Sequence, residues 1–227
     1  MRGLFFLLVV AALGGCGGSS TSTDPSPESI VERTTTETGA QKSFHFKLEV
    51  ENPAPSSSGL SLTFADGDIV VPDRLQAKVA GTFNGIPITT QIVFAGPMQY
   101  LLNPLSKDWQ SFSTDTSPIA FFSPAKGVLA AVKGATDLEL AGTRTVGGVE
   151  SYRLVGKLKA RYVSDFLGNE PSEREADAEI DVGKDDGLVR ELTLSGPIAA
   201  DEPDNAKRTL TLSRFNEQVT IEAPAAG

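Results

Sequence analysis

The chain holds a single histidine and a single cysteine, which narrows the nucleophilic and metal chemistries open to it. His45 stands in "SFHFKLEV", where period-two alternation puts Phe44, Phe46, Leu48 and Val50 on one face. Ser43, His45, Lys47 and Glu49 share the other, so the histidine belongs to a solvated face. Acyl transfer needs an ordered Ser-His-Asp set, and no Gly-x-Ser-x-Gly elbow accompanies His45. No Cys/His group has zinc spacing. The acidic stretch "EREADAEIDVGKDDG" invites a calcium reading. Its carboxylates Glu175, Asp177, Glu179 and Asp181 alternate with apolar residues, however, and so lie along one strand face. A calcium loop instead wraps its oxygens around the ion with a glycine at the sharp turn. "KDDG" reads as a hairpin turn, and "TVGGVE" as another. The chain is expected to be no enzyme, with no catalytic residue, metal or cofactor.

Cys16 is a different matter. It ends the leader "MRGLFFLLVVAALGGC", in which Arg2 is the positive end and Leu4 to Leu13 form an apolar run. That run is too short for a membrane span, which takes about 20 residues, and fits the apolar region of a secretory signal. "LGGC" resembles the lipobox of bacterial lipoproteins, which implies cleavage before Cys16 and acylation of its thiol. Residues 1–15 are therefore expected to be a lipoprotein signal peptide, and 16–26 an acylated flexible tether. Ten residues of the composition "GGSSTSTDPS" reach about 17 Å as a flexible coil. Residues 27–227 are expected to form a single domain without disulfides, held on the extracytoplasmic face of the cell membrane. A net charge of −9 argues against nucleic acid, whose binders neutralise phosphates with Lys and Arg.

The elements that must carry any site are mostly strands. Two segments read as helices. In "DPSPESIVERTTTETGAQKS", Asp24 or Ser26 can cap and Pro27 can begin the first turn. Its threonine run has poor helix propensity, so packing must hold it. In "SPAKGVLAAVKG", Ser123 can cap, Pro124 can start and Gly134 can end a helix that places Val128, Leu129 and Val132 on one side. Elsewhere alternation dominates. "GLSLTFADGDIVV" places Leu60, Leu62 and Phe64 on one face and is expected to turn at "DGD". "RLQAKVAGTFNGIPITTQIVF" reads as two strands joined at Asn84-Gly85, a strong hairpin signal. The fold class is α+β, mostly β: a curled antiparallel half-barrel of about ten strands wrapped around two helices. A sheet that broad must curl or split, and one face stays solvated.

Three stretches in order, "GTRTVGGVESYRLVGKL", "AEIDVGKDDGLVRELTLSGP" and "LTLSRFNEQVTIEAP", resemble successive strands of the LppX/LprG-type (LppX_LprAFG) lipoproteins. "AQKSFHFKLEV" is similar to that family's opening, and "SKDWQSFS" after "MQYLL" to its Tyr…Trp hairpin. Ile180 in "AEIDV" stands where the family usually has tryptophan. The resemblance implies a LolA/LolB-like half-barrel with an apolar cavity between sheet and helices, which holds the acyl chains of envelope glycolipids. A concave sheet with large apolar residues and two poor helices would be hard to fill to interior density, which points the same way.

The expected lining is Phe46, Leu48, Phe64, Val79, Ile88, Ile92, Phe94, Tyr100, Tyr152, Leu154, Leu192 and Leu194, with Leu129 and Val132 from the second helix. Each can equally be plain core. Ile119, Phe121 and Phe122 in "TSPIAFFSPAKG" fit either packing under that helix or the cavity mouth. The expected function is lipid binding and transport across the envelope by a membrane-anchored monomer. Its ligand would be an acylated lipid or glycolipid, and an export pump or acceptor would set direction. The rival readings are a structural or regulatory module that binds another protein, and a carrier of lipoproteins.

Overall fold

The computed structural model describes residues 24–53, 60–113, 127–163, 173–199 and 201–225. A helix α1 (Pro27–Gly39) precedes six strands: β1 (Ser43–Glu51), β2 (Leu60–Val70), β3 (Arg74–Phe83), β4 (Ile86–Ala95), β5 (Met98–Leu102) and β6 (Trp109–Ser113). A short helix α2 (Val128–Gly134) then leads into β7 (Ala135–Val146) and β8 (Val149–Lys159). A single 3-10 turn (Ala160–Tyr162) precedes β9 (Glu175–Gly183), β10 (Val189–Ser195) and β11 (Lys207–Ser213). All eleven strands form one antiparallel, open, curled sheet in the order β6-β5-β4-β3-β2-β1-β11-β10-β9-β8-β7. It is two meanders, joined where β1 pairs with β11 from His45↔Ser213 to Glu51↔Lys207.

Local chemistry sets the ends of the elements. Ser26, not Asp24, caps α1: its hydroxyl accepts from Ser29 N at 3.3 Å, and Pro27 occupies the first turn. Asn84 (φ 49°) and Gly85 (φ 79°) make the β3–β4 turn, and Gly147 and Gly148 (φ 56° and 84°) the β7–β8 turn. Paired positive φ values are what two-residue hairpins require. α2 begins at Val128 with no side-chain cap and ends at Gly134; Ser123 and Pro124 lie outside the described residues.

The expected turn at "DGD" is not there. Asp66, Gly67 and Asp68 continue β2, and the chain reverses at 71–73 instead. The packing explains why. A Cβ at Gly67 would lie 2.0 Å from Gln76 O across the β2–β3 ladder, so the glycine serves a close strand approach. Asp68 bonds outward, to His45 Nδ1 at 2.9 Å and Arg214 Nη2 at 2.6 Å.

The two helices lie against the apolar inner face, where Ile30, Val128, Ala131 and Val132 join one core with β1–β4 and β8–β11. The threonine run of α1 is held by side-chain bonds. Thr34 Oγ1 donates to Gly187 O at 3.0 Å, and Thr38 Oγ1 accepts from Val189 N at 3.1 Å. Arg33 adds a bond from Nη1 to Lys184 O at 2.8 Å. On the outer face the acidic strand forms cross-strand ion pairs, not an ion site. Asp181, fully buried, takes Arg144 Nε at 2.7 Å; Glu179 takes Arg153 at 2.5 Å, and Asp177 takes Lys157 at 2.5 Å. The hydrogen bond from Arg153 holds the Glu179 carboxyl below the usual glutamate range.

Candidate functional site: the apolar inner face

Strand register decides which residues share the concave side. Opposite Phe46, Leu48 and their neighbours on β1 stand Gly67 and Ala65 of β2, and Leu212 and Leu210 of β11. Leu75, Ala77 and Val79 of β3 face Phe94, Ile92 and Thr90 of β4. Tyr152, Leu154, Gly156 and Leu158 of β8 face Val182, Ile180, Ala178 and Ala176 of β9. Ala65, Ala77, Ala176 and Ala178 are buried in the core of this face, while Gly67 and Gly156 admit a neighbouring strand: a Cβ at Gly156 would lie 2.5 Å from Thr136 O.

The two halves of this face differ. On the β8–β11 side it is filled: Leu154, Leu158, Ile180, Leu192, Leu194, Leu210 and Leu212 are all buried. On the β2–β5 side, burial fades along the strands. Leu75 and Phe94 are buried at one end, Ile92, Val79 and Leu62 are half-buried further on, and Ile88 is half-exposed. At the hairpin tip, Ile86 is 66 % and Phe83 is 48 % exposed. Oily side chains of the inner face therefore run out from under the two helices and into the open. On β4 the buried Thr90, opposite Val79, interrupts the series between Ile92 and Ile88; an apolar strip of this kind is what a hydrocarbon ligand can cover.

Most of the residues expected to line a cavity share the inner face, many of them within the core. Phe46, Leu48, Phe94, Val132, Leu154, Leu192 and Leu194 are buried on the inner side, Leu129 is buried beside Gly39 of α1, and Val79, Ile88, Ile92 and Tyr152 are partly covered. Phe64 and Tyr100 are placed elsewhere. A register shift between Leu62 and Phe64 inserts Thr63 into β2, so Leu62 and Ala65 point inward and Phe64 stands outside opposite Glu49. Its ring centre lies 6.0 Å from Lys47 Nζ. Tyr100 pairs with Val93, the outward neighbour of Phe94, and thus also faces out. Cys16, Ile119, Phe121 and Phe122 lie outside the described residues. A concavity of about 470 Å³ lies between α1, α2 and the start of β7. It mixes Val31, Val132 and Leu138 with Glu28, Glu32, Lys133 and Asp137, and suits a hydrocarbon less well.

Sequence reasoning missed two features of the inner face. Leu62 and Leu101 belong to it, the latter opposite Ile92. So does a charged pair. Arg208 alternates with Leu210 and Leu212 and is buried, as is Glu202 beside it. Burial pushes the Arg208 guanidinium down to about 10. The parity of "RTLTLS" carried this signal, since Arg208 shares phase with the two leucines.

The chain is similar to known proteins. "Lipoarabinomannan carrier protein LprG" of Mycobacterium tuberculosis is 29 % identical over 167 residues, 70 % of this chain and 69 % of LprG. The crystal structure of LprF from Mycobacterium bovis superposes with a TM-score of 0.69 at 19 % identity, over 89 % of this chain and 99 % of that one. The crystal structure of the Mycobacterium tuberculosis lipoprotein LppX gives 0.62 at 22 % identity, over 88 % of this chain and 100 % of that one. These two likenesses establish a shared fold. Residues 26–221 match the family described as LppX_LprAFG lipoprotein, and the chain belongs to that family.

Proposed function

We propose that this protein is a lipid carrier of the cell envelope, anchored through an acylated Cys16 on the extracytoplasmic face of the cell membrane. It holds the acyl chains of a di- or triacylated (glyco)lipid against the inner face and performs no catalysis. The observation that carries this reading is the apolar strip on β2–β4, which continues past the helices to the exposed Ile86 and Phe83. The name of LprG, a lipoarabinomannan carrier, supports it.

The energetics define the task. A chain of about 16 carbons gains more than roughly 10 kcal/mol on leaving water, at about 0.8 kcal/mol per CH₂. A bilayer gives nearly the same gain, so transfer between membrane and protein is close to thermoneutral. The protein needs no fuel; it needs an inner face as dry as the bilayer. Direction then comes from a partner, an export pump or an acceptor membrane, and a monomer suffices for the carrying step. Two acyl chains on Cys16 hold the protein at the membrane more firmly than one.

The test is organic extraction of a purified Cys16→Ser chain followed by mass spectrometry, the substitution removing the anchor's own acyl groups. Stoichiometric di- or triacylated lipid is the expected result. Recovery of a lipid-free protein that takes up none from vesicles would overturn the proposal in favour of a protein-binding module. Selective uptake of an acylated peptide would make it a carrier of lipoproteins instead.

A further inference from the structure

Packing of acyl chains leaves the charged pair on the inner face without a use. Arg208 sits on β11 between Val50 of β1 and Leu194 of β10. Glu202 arrives from the β10–β11 connection, which folds inward so that Ile198 enters the core. Glu202 Oε2 accepts from Ile198 N at 2.7 Å and Ala199 N at 3.0 Å, and Oε1 pairs with Arg208 Nη2. The carboxylate is therefore fully engaged. The guanidinium is not: its side chain is 8 % exposed, and the buried Nη1 has no acceptor among the described residues. A buried donor left unpaired is expensive and rare in native proteins. Arg208 lies at the border of the filled half, where its partner on β1 is the half-buried Val50 and β2–β4 follow, so the missing acceptor belongs to a ligand on that open side.

We propose that Arg208 Nη1 donates to an ester carbonyl oxygen of the bound lipid, so that Glu202 and Arg208 make the carrier selective for acyl-ester chains over ether-linked ones. The proposal rests on the carrier reading and adds to it the chemistry at the root of the chains. Charge decides between the two oxygens that a lipid could offer. Glu202 already neutralises Arg208, so a phosphate would bring a second anion into a dry site beside the first carboxylate. A carbonyl oxygen is a neutral acceptor and leaves the pair balanced. An ether oxygen is a weaker acceptor and offers no such bond.

The experiment loads the Cys16→Ser chain from vesicles that contain equal amounts of a galactosyl dipalmitoylglycerol and its dihexadecyl ether counterpart. Mass spectrometry of the extracted protein then reads the ratio. The expected ester-to-ether enrichment is about tenfold or more, the range of one charge-assisted hydrogen bond. In R208M/E202Q the ratio falls to about one while total loading persists; the double change avoids an unpaired buried carboxylate. Equal loading of ester and ether by the unsubstituted pair overturns the inference, and needs no variant to fold. An unchanged ratio in the double variant overturns it as well. If dipalmitoylphosphatidylglycerol outcompetes the galactolipid in a manner that depends on Arg208, the acceptor is phosphate and the ester assignment falls. If neither chain chemistry loads, the carrier reading itself has failed.

Discussion

Two isoleucines of the same face separate the filled half of the molecule from the open one. Ile180 is completely buried on β9, whereas Ile92 on β4 is only partly covered at the margin of the core. Ile180→Trp is expected to lower stability by about 1–3 kcal/mol, the usual range for overpacking. Ile92→Trp is expected to cost less than about 1 kcal/mol and to displace bound lipid. Urea unfolding of both variants, with lipid recovered by extraction, checks the pair. Equal losses of stability with unchanged lipid would place Ile92 in solid core. At this scale alternation made most of the inner face legible. Phe64 was hidden because one inserted residue, Thr63, reverses the phase of β2, and nothing in "LSLTFADG" marks the insertion. Tyr100 was hidden because a five-residue strand is too short for its own phase to show; pairing with Val93 sets it. Arg208 was legible by parity and was passed over because charge is expected outside.

Among the elements, α1 depends most on what it touches. A helix of "ERTTTET" has little intrinsic stability, and the sequence makes plain that packing must hold it. What the sequence does not show is the means. Thr38 accepts the Val189 amide, and Thr34 donates to Gly187, so the hydroxyls that weaken the helix fasten it to the β9–β10 turn. Thr38→Val preserves shape and removes the acceptor. It is expected to cost about 1–3 kcal/mol, because the Val189 N–H is then buried without a partner. Hydrogen exchange at Val189 should accelerate first, and unchanged protection there would show that the bond contributes nothing. The hairpins were the most legible elements, since Asn84-Gly85 and Gly147-Gly148 supply their own positive φ values. The stretch "DGD" misled because glycine between two aspartates has the composition of a turn. Here it answers to the neighbouring strand instead.

For the molecule as a whole, the number and direction of the strands followed from period-two patterning, but their order did not. Nine of the strand pairs join neighbours in sequence; the pairing of the first strand with the last does not, because it is set by no local turn. That single join makes one sheet from two. Deleting residues from Lys207 onward is expected to abolish cooperative unfolding by circular dichroism, since β1 and β10 would each lose one of two partner strands and become sheet edges. A retained sharp transition would mean that either meander stands alone. The join also sets a condition on closure. Residues 207–213 are the keystone of the arch: until they lie against residues 45–51, the two meanders remain separate pieces, each with a bare edge.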